Sequence, residues 1–225
     1  MRSKSYQKIK SKLDKTKLYT LEEAMDFLRD NSLAKFDQTI ELHIALGIDS
    51  RKTEQQVRGT VILPHGGIKK QKIAVFVNSA KLKETEKAGA DLFGGQDLID
   101  QIKKSKKCNF DIAIAEPDIM KDLSQIAKIL GPKGLMPSPK SETITTDIKK
   151  TIDQLKKGKV IFKNDAGGNL HLLLGKISWK NEQIKANFEV FLEAVKKVKP
   201  SKLKGIFLKK IILTSTMGPG IKIQI

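Results

Sequence analysis

The fold is decided first by the stretch Thr39-Ile40-Glu41-Leu42-His43-Ile44-Ala45-Leu46-Gly47-Ile48, in which apolar residues alternate with polar or small ones. Successive side chains of a β-strand point to opposite faces of a sheet, so residues two positions apart share a face. The isoleucines and leucines of this stretch define one buried face, and Glu41 and His43 belong to the opposite one. The pattern predicts a half-buried strand.

The residues on either side of this strand predict a helix and a second strand. Thr20-Leu21-Glu22-Glu23 has the form of a capping box and opens an amphipathic helix. One face of that helix carries Ala24, Phe27 and Leu28. After the central strand, residues 57–63 form another apolar run, which predicts a strand that ends at Pro64-His65-Gly66-Gly67.

The middle of the chain has a different pattern. Residues 72–77 and 110–115 are short apolar runs without alternation, and helical stretches are predicted at about 81–88, 119–130 and 147–157, the last ending at Gly158. Continuous apolar strands separated by helices indicate a parallel sheet that is covered on both faces. This part is predicted to be a three-layer, Rossmann-like α/β domain.

The last part returns to alternation. Residues 160–162 and 170–174, with a turn at 164–169, predict a β-hairpin. An amphipathic helix follows and stops at Pro200, and residues 206–213 predict a closing strand. Neither the first nor the last part has enough strands for a stable sheet alone. We therefore expect one discontinuous α+β domain, an antiparallel sheet with helices from residues 1–66 and 159–225, with residues 67–158 inserted.

The charge of the chain indicates a polyanionic partner. It has 225 residues, with 43 lysines and arginines against 25 acidic residues and a net charge of +18. A basic excess of this size is typical of nucleic-acid binding, although a lysine-rich proteome is the alternative. Only four of the basic residues are arginine, which favours contact with phosphates over reading of base edges. Residues 158–225 hold 13 basic and 4 acidic side chains, the densest excess.

The C-terminal segment Thr214-Ser215-Thr216-Met217-Gly218-Pro219-Gly220-Ile221-Lys222-Ile223-Gln224-Ile225 follows the closing strand. Its threonine hydroxyls could bind ribose and phosphate oxygens, and its glycines would allow another molecule's backbone to approach closely. A plain turn at the end of the strand is the alternative.

Several classes of protein are not expected. No apolar run reaches the roughly 18–20 residues of a membrane span, and residues 1–17 lack the apolar core of a secretory signal. The single cysteine, Cys108, excludes an internal disulfide and a CxxC metal site. The histidines His43, His65 and His171 are isolated in the sequence. Residues 131–134 and 92–95 lack the phosphate-loop and dinucleotide fingerprints. We expect a cytoplasmic protein that is not an enzyme and has no metal or cofactor.

Five ordered motifs resemble a known family, that of the ribosomal L-one protein in the mobile stalk of the large subunit, and its bacterial or organellar form most closely. They are Ala34-Lys35-Phe36-Asp37-Gln38-Thr39-Ile40-Glu41-Leu42-His43, Leu46-Gly47-Ile48-Asp49-Ser50-Arg51-Lys52, Val57-Arg58-Gly59-Thr60-Val61-Ile62-Leu63-Pro64-His65-Gly66, Gly131-Pro132-Lys133-Gly134-Leu135-Met136-Pro137-Ser138-Pro139-Lys140 and Thr216-Met217-Gly218.

The resemblance implies two domains joined by a hinge, which we place at Gly66, Gly67 and Gly158. It implies a monomer within the cytoplasmic ribosome and no membrane contact. The implied partners are large-subunit ribosomal RNA, tRNA at the exit site, whose deacylated form it helps to move and release, and its own mRNA, whose translation it represses. The family's RNA surface corresponds here to Lys35, Phe36, Thr39, Glu41, Lys163, Asn164, Asp165, His171, Lys176, Thr216, Met217 and Gly218.

Some of these residues have alternative interpretations. Lys35 would neutralise a phosphate, Phe36 could pack on a sugar or base, and Glu41 could accept from a ribose 2′-OH or a guanine amino group. Core packing is the alternative for Phe36, and a solvated strand position is the alternative for Glu41. The chain departs from the family pattern at Ala166, where the family usually has a basic residue, and at Leu172-Leu173, where it usually has small or polar residues. A translational repressor or RNA chaperone that acts off the ribosome is the alternative function.

Overall fold

The computed structural model describes residues 4–14, 16–32, 34–66, 71–78, 85, 88–201, 203 and 205–224. The chain divides into a first unit, Met1–Ile68 with Val160–Ile225, and a second unit, Lys69–Lys159. The helices are α1 Lys4–Lys12, α2 Leu21–Asp30, α3 Gln96–Ser105, α4 Met120–Leu123, α5 Ala127–Leu130, α6 Ile148–Lys156 and α7 Asn181–Lys197. The strands are β1 Thr39–Leu46, β2 Arg58–Ile62, β3 Ile73–Phe76, β4 Leu92–Gly94, β5 Ile112–Ala115, β6 Lys159–Lys163, β7 Asn169–Lys176, β8 Leu208–Ser215 and β9 Ile221–Ile223.

A four-stranded sheet in the order β7-β1-β8-β9 forms the centre of the first unit. Strand β1 pairs antiparallel with both β7 and β8, and β8 pairs antiparallel with β9. The central strand thus comes from the N-terminal part of the chain, and its neighbours come from the C-terminal part. The predicted antiparallel sheet with helices is confirmed.

The predicted alternation of β1 is also confirmed. Ile40, Leu42 and Ile44 are fully buried, whereas the residues between them are partly exposed. The buried face belongs to one apolar core with residues of α2 and α7, among them Leu28 and Phe191. Burial of such side chains is the main source of stability for this unit.

The capping box of α2 forms as the sequence predicts. The amide of Glu23 donates to the Thr20 hydroxyl at 3.2 Å, and the amide of Thr20 donates to the Glu23 carboxylate at 3.0 Å. Two amides that would otherwise lack partners at the helix start are therefore satisfied.

The predicted hairpin of residues 160–174 is wrong. Strand β6 pairs with β2 in a separate two-stranded sheet, and β7 pairs with β1. Phe162 of β6 packs beneath Gly59 of β2, where a Cβ atom would lie 2.8 Å from the ring. The same ring makes an edge contact with Phe191 of α7 at 5.3 Å between centroids. Burial of Phe162 holds β6 beside β2, and β7 is left to complete the sheet around β1.

The second unit contains the predicted parallel sheet, with three strands in the order β4-β3-β5. Every residue of β3 and β5 is buried, as the absence of alternation indicates. Strand β4 was not predicted. The helix predicted over 119–130 is divided into α4, a 3₁₀ turn at Ser124–Ile126 and α5. The Ser124 hydroxyl donates to the Lys121 carbonyl at 2.6 Å, a local bond that competes with helical pairing.

Two further helix predictions concern the second unit. The helix predicted over 147–157 is α6, and Gly158 ends it with a φ of 100°, in the left-handed region that favours glycine. The helix predicted at 81–88 falls outside the described residues except at positions 85 and 88.

Candidate nucleic-acid interface

The sheet of the first unit has one face turned away from the apolar core, which we call the open face. Strand alternation and register place on it Thr39, Glu41, His43 and Ala45 of β1, Asn169, His171, Leu173 and Lys176 of β7, Lys210, Ile212 and Thr214 of β8, and Lys222 of β9. A register shift between Ile40 and Glu41 gives β7 one extra residue. This bulge brings Lys176 opposite Thr39, where a regular ladder would place Gly175.

Residues from the two chain ends meet at one end of the open face. We call this group, formed by residues 35–39, Lys176 and residues 216–218, the rim. The Lys176 ammonium donates to the Thr39 hydroxyl at 2.9 Å, and the Thr39 amide donates to the Thr216 hydroxyl at 3.1 Å. Hydrogen bonds join Thr39, Lys176, Thr216 and, through Gln38, Met217. With Lys35, Phe36 and Gly218, which adjoin these residues in the chain, the rim contains seven of the twelve predicted RNA contacts.

Gln38 holds the two parts of the rim together, although it is not among the predicted site residues. Its side chain is fully buried, which is rare for glutamine. The amide nitrogen donates to the Ser32 hydroxyl at 2.7 Å, and the amide oxygen accepts from the Met217 backbone at 3.0 Å. No sequence signal distinguishes Gln38, because its partners lie 6 and 179 positions away.

Large apolar side chains are exposed on the same surface. Phe36 is 56% exposed, Met217 is 55% exposed and Leu173 is 42% exposed. Core packing, the alternative for Phe36, is therefore wrong. Leu172 and Leu173, two of the departures from the family pattern, lie on opposite faces of β7. Leu172 is buried in the core, and Leu173 lies on the open face opposite Glu41.

Gly218 has a different structural reason from the expected one. A Cβ atom at this position would lie 2.3 Å from the Ser215 hydroxyl and 3.2 Å from Leu28. The missing side chain thus faces the interior of the unit and not the open face. Glycine is required here by internal packing, and substitution of Gly218 would disturb the turn itself.

The predicted residues of the 163–165 turn have unequal exposure. Lys163 is exposed at the end of β6, but Asn164 is only 7% exposed. The Asn164 side chain accepts from the Val57 amide at 2.8 Å and donates to the Asp165 carbonyl at 2.9 Å. Asn164 therefore anchors the turn to the start of β2. The carbonyl of Ala166, one of the departures, accepts a hydrogen bond from the Ser50 hydroxyl.

His43 and His171, which are isolated in the sequence, are in contact in the structure. Their Nδ1 atoms are 2.8 Å apart, because the two residues are directly opposed in the β1–β7 ladder. His171 Nε2 lies 3.3 Å from Asp165 Oδ2, and His43 Nε2 lies 3.8 Å from Glu41 Oε2. We call these four residues the histidine track. The expectation that the histidines stand alone is wrong for this pair, since only strand register could reveal the contact.

Two groups of the histidine track have shifted pKa values. Burial lowers the pKa of His43, the nearby His171 lowers it further, and the Glu41 carboxylate opposes both effects. The pKa of Asp165 is lowered chiefly by the hydrogen bond that its carboxylate accepts from the Asn169 amide, at 2.6 Å. Asp165 is therefore a carboxylate that closes the turn and also faces His171.

The predicted hinge glycines are only partly described. Gly66 is half-buried after β2, Gly67 lies outside the described residues, and Gly158 ends α6. The hinge remains a prediction.

Within the described ranges, no group of three or more histidine, cysteine, aspartate or glutamate residues could hold a metal ion. No helix in this same part of the chain is long and apolar enough to cross a membrane. The fold and the site together define a basic, two-unit α/β protein whose first unit presents a polar sheet face edged with lysines, threonines and exposed apolar side chains.

Comparison with known proteins identifies the family to which the chain belongs. The profile of the ribosomal protein L1p/L10e family matches residues 28–219. The chain is 46% identical over 222 residues to the large ribosomal subunit protein uL1 of Mycoplasma capricolum, covering 99% of this chain and 98% of the relative. It is 47% identical over 223 residues to the proteins of the same name from Mesoplasma florum and Kosmotoga olearia, covering 99% of this chain and 98% and 96% of those relatives. The chain belongs to the ribosomal protein L1p/L10e family, a structural and non-enzymatic family, as the resemblance indicated.

Proposed function

We propose that this protein is a structural constituent of the large ribosomal subunit in the bacterial cytoplasm and binds ribosomal RNA through the rim and open face of its first unit. The names of its relatives support the ribosomal role. The single observation that supports the binding face is the rim, where residues from both chain ends are hydrogen-bonded into one surface.

The polar groups of the rim suit a ribose-phosphate backbone. A-form RNA displays its 2′-hydroxyls in a wide, shallow minor groove, where a flat sheet edge can approach them. The Thr39 hydroxyl accepts from Lys176, so its own proton remains available for a ribose or phosphate oxygen. Lys35 and Lys176 supply positive charge for phosphates, and Glu41 supplies an acceptor for a 2′-OH.

Phe36, Met217 and Leu173 would provide the apolar part of the interface. Exposed aromatic and aliphatic side chains stack on unpaired bases or cover sugars, and they exclude water from neighbouring hydrogen bonds. Leu173 would replace a smaller or polar contact of the family, and the missing basic residue at Ala166 would remove one phosphate contact.

The charge distribution supports binding by the same unit. Residues 160–225, which supply β7, β8 and β9, carry 12 basic and 4 acidic side chains. Binding should be largely electrostatic, so the affinity should fall with salt by a log–log slope of several units if about 5–8 phosphates are neutralised.

The finer roles follow from the resemblance alone. We propose contact with tRNA at the exit site, with assistance to its movement and release, and repression of the protein's own mRNA. A translational repressor that acts only off the ribosome is the second candidate. Co-sedimentation with large subunits in high salt separates the two, because a repressor alone would appear in the free fraction.

Filter binding to large-subunit ribosomal RNA tests the proposed face. Phe36→Ala and Lys176→Gln should each weaken binding by about tenfold, which corresponds to loss of about 1.4 kcal/mol. The matched controls are Phe93→Ala and Lys149→Gln, exposed residues of the same types in the second unit. These controls should change binding by less than about twofold on the scale of ordinary surface substitutions. Equal losses in both units, or a flat salt dependence, would refute the assignment of this face.

A further inference from the structure

The histidine track allows one arrangement of protons when both rings are neutral. The Asp165 carboxylate accepts, so His171 must present an N–H at Nε2 across the 3.3 Å contact. A neutral imidazole carries only one N–H, which leaves His171 Nδ1 as an acceptor. The 2.8 Å contact between the two Nδ1 atoms then requires that His43 donates from Nδ1. Asp165 therefore fixes the tautomer of His171, His171 fixes that of His43, and the Nε2 atom of His43 is left without a proton.

The same geometry can accept one further proton without any rearrangement. A proton added to His43 Nε2 would face Glu41 Oε2, 3.8 Å away, while His43 Nδ1 continues to donate to His171. A second proton would have to enter at His171 Nδ1, between the two rings. It would break their hydrogen bond and place two positive charges in contact, which is unfavourable. The pair can hold one proton but not two.

The charges around the pair come from every neighbouring strand. Glu41 on β1 and Asp165 before β7 face it directly. On the other side, Lys222 of β9 lies in the same cross-strand row through Ile212, and Lys210 of β8 lies in the next row beside Ala45. Lys163 ends β6, just before the turn that carries Asp165. With neutral histidines, the track is the acidic part of an otherwise basic face.

We propose that His43 and His171 act as one proton acceptor within the RNA interface, and that His43 takes up a single proton when RNA phosphate approaches the open face. His43 is then a positioning residue, which orients His171 and adjusts the charge of the track. This inference rests on the proposed function, since it requires RNA on this face.

The direction of the pH effect follows from linkage. A phosphodiester is anionic throughout the range in which histidine titrates, so it stabilises the protonated pair. A ligand that favours the protonated form binds more tightly as the pH falls, and its binding takes up protons by the same amount. Burial and His171 lower the pKa of His43 in the free protein, so His43 is neutral at neutral pH and has a proton to gain. One proton allows at most about a tenfold change in affinity per pH unit.

The test measures binding of the full chain to large-subunit ribosomal RNA between pH 6 and 8.5 at constant ionic strength. Calorimetry in two buffers of different ionisation enthalpy gives the proton uptake directly. The wild-type affinity should rise by about three- to tenfold from pH 8 to pH 6 with a fractional proton taken up. The double variant His43→Gln/His171→Gln should abolish both effects, because neither glutamine amide titrates. His65→Gln, at an exposed histidine outside the interface, should retain both.

Nitrogen chemical shifts of the histidines in the wild-type protein give a second measurement that needs no variant. One proton should enter the His43–His171 pair, shared between the two rings, over the pH range of the binding measurements. Titration of the two rings as separate histidines would overturn the proposal, and so would proton uptake that is the same in the double variant as in the wild type. RNA binding that is tight but independent of pH would overturn this inference alone. Absence of RNA binding at every pH would refute the proposed function instead.

Discussion

The central strands of the two units differ in how many of their faces are buried. In β1, buried residues alternate with half-exposed ones, so Leu42 lies in the core and Glu41 on the open face. In β3, all four residues from Ile73 to Phe76 are buried. An antiparallel sheet can be covered on one side only, whereas the crossovers of a parallel sheet place cover on both. The first unit can therefore present side chains of its central strand to a partner, whereas β3 of the second unit cannot.

The largest expected effect is a separation of RNA binding between the units. Residues 1–68 joined to 160–225 through a short glycine linker should retain affinity for large-subunit ribosomal RNA within about tenfold. The isolated segment 69–159 should bind at least about a hundredfold more weakly, because it lacks an open sheet face. Filter binding at fixed salt measures both.

Circular dichroism controls for folding in that experiment, since the joined unit should show the antiparallel sheet and its helices. If the folded segment 69–159 binds the RNA and the folded joined unit does not, the comparison between the units is reversed and the proposed face is wrong.

A second prediction concerns stability and uses neighbouring residues in each strand. In β3, Val75→Ala and Phe76→Ala should both lower the free energy of unfolding, with the phenylalanine costing about 3–5 kcal/mol. In β1, Leu42→Ala should cost about 2–5 kcal/mol, but Glu41→Ala should stay within about 0.5 kcal/mol. Urea unfolding followed by circular dichroism measures these changes. Equal losses for Glu41 and Leu42 would show that both faces of β1 are buried.

The smallest expected effect concerns the turn that carries Asp165. The pKa of this carboxyl is lowered in the folded state, chiefly by the Asn169 amide, so its ionised form stabilises the fold above the unfolded pKa. That contribution is lost as the pH falls through the folded pKa. Asp165→Asn should lower stability by less than about 1 kcal/mol at pH 7, since the group is partly exposed and screened. The difference from the wild type should shrink toward pH 3. A difference that is unchanged in acid would exclude the carboxylate charge as its cause.

Sequence patterns predicted well where the cause is local. The alternation of β1 and the capping box of Thr20 and Glu23 each depend on residues within a few positions, and both are confirmed. The hairpin over 160–174 also looked local, but its prediction was wrong. A turn between two apolar runs does not determine which strand each run pairs with. Here the burial of Phe162 against β2 favours pairing of β6 with β2.

The candidate site shows the same contrast between local features, which the sequence predicts, and contacts between distant residues, which it does not. The family resemblance predicted that Lys35, Phe36, Thr216 and Met217 share one RNA-binding surface, but the periodicity and charge of the sequence did not predict that they lie close together. Gln38 and His43 were missed as organising residues because their partners are distant in sequence, as in the 128 positions between His43 and His171. The reason for Gly218 was also misassigned, since only the structure shows that its missing side chain faces Ser215.

The sequence by itself determined several of the helices and strands, the two kinds of sheet, the basic charge and the family of this protein. These follow from periodicity, capping residues, composition and ordered motifs, all of which can be read from the sequence without knowing which distant residues are in contact. Only the tertiary structure decided which strands pair, and hence that Thr39 meets Thr216 and that His43 meets His171. The physical reason is that register in a sheet is set by competition for burial among all strands at once, and no single stretch of sequence contains that competition.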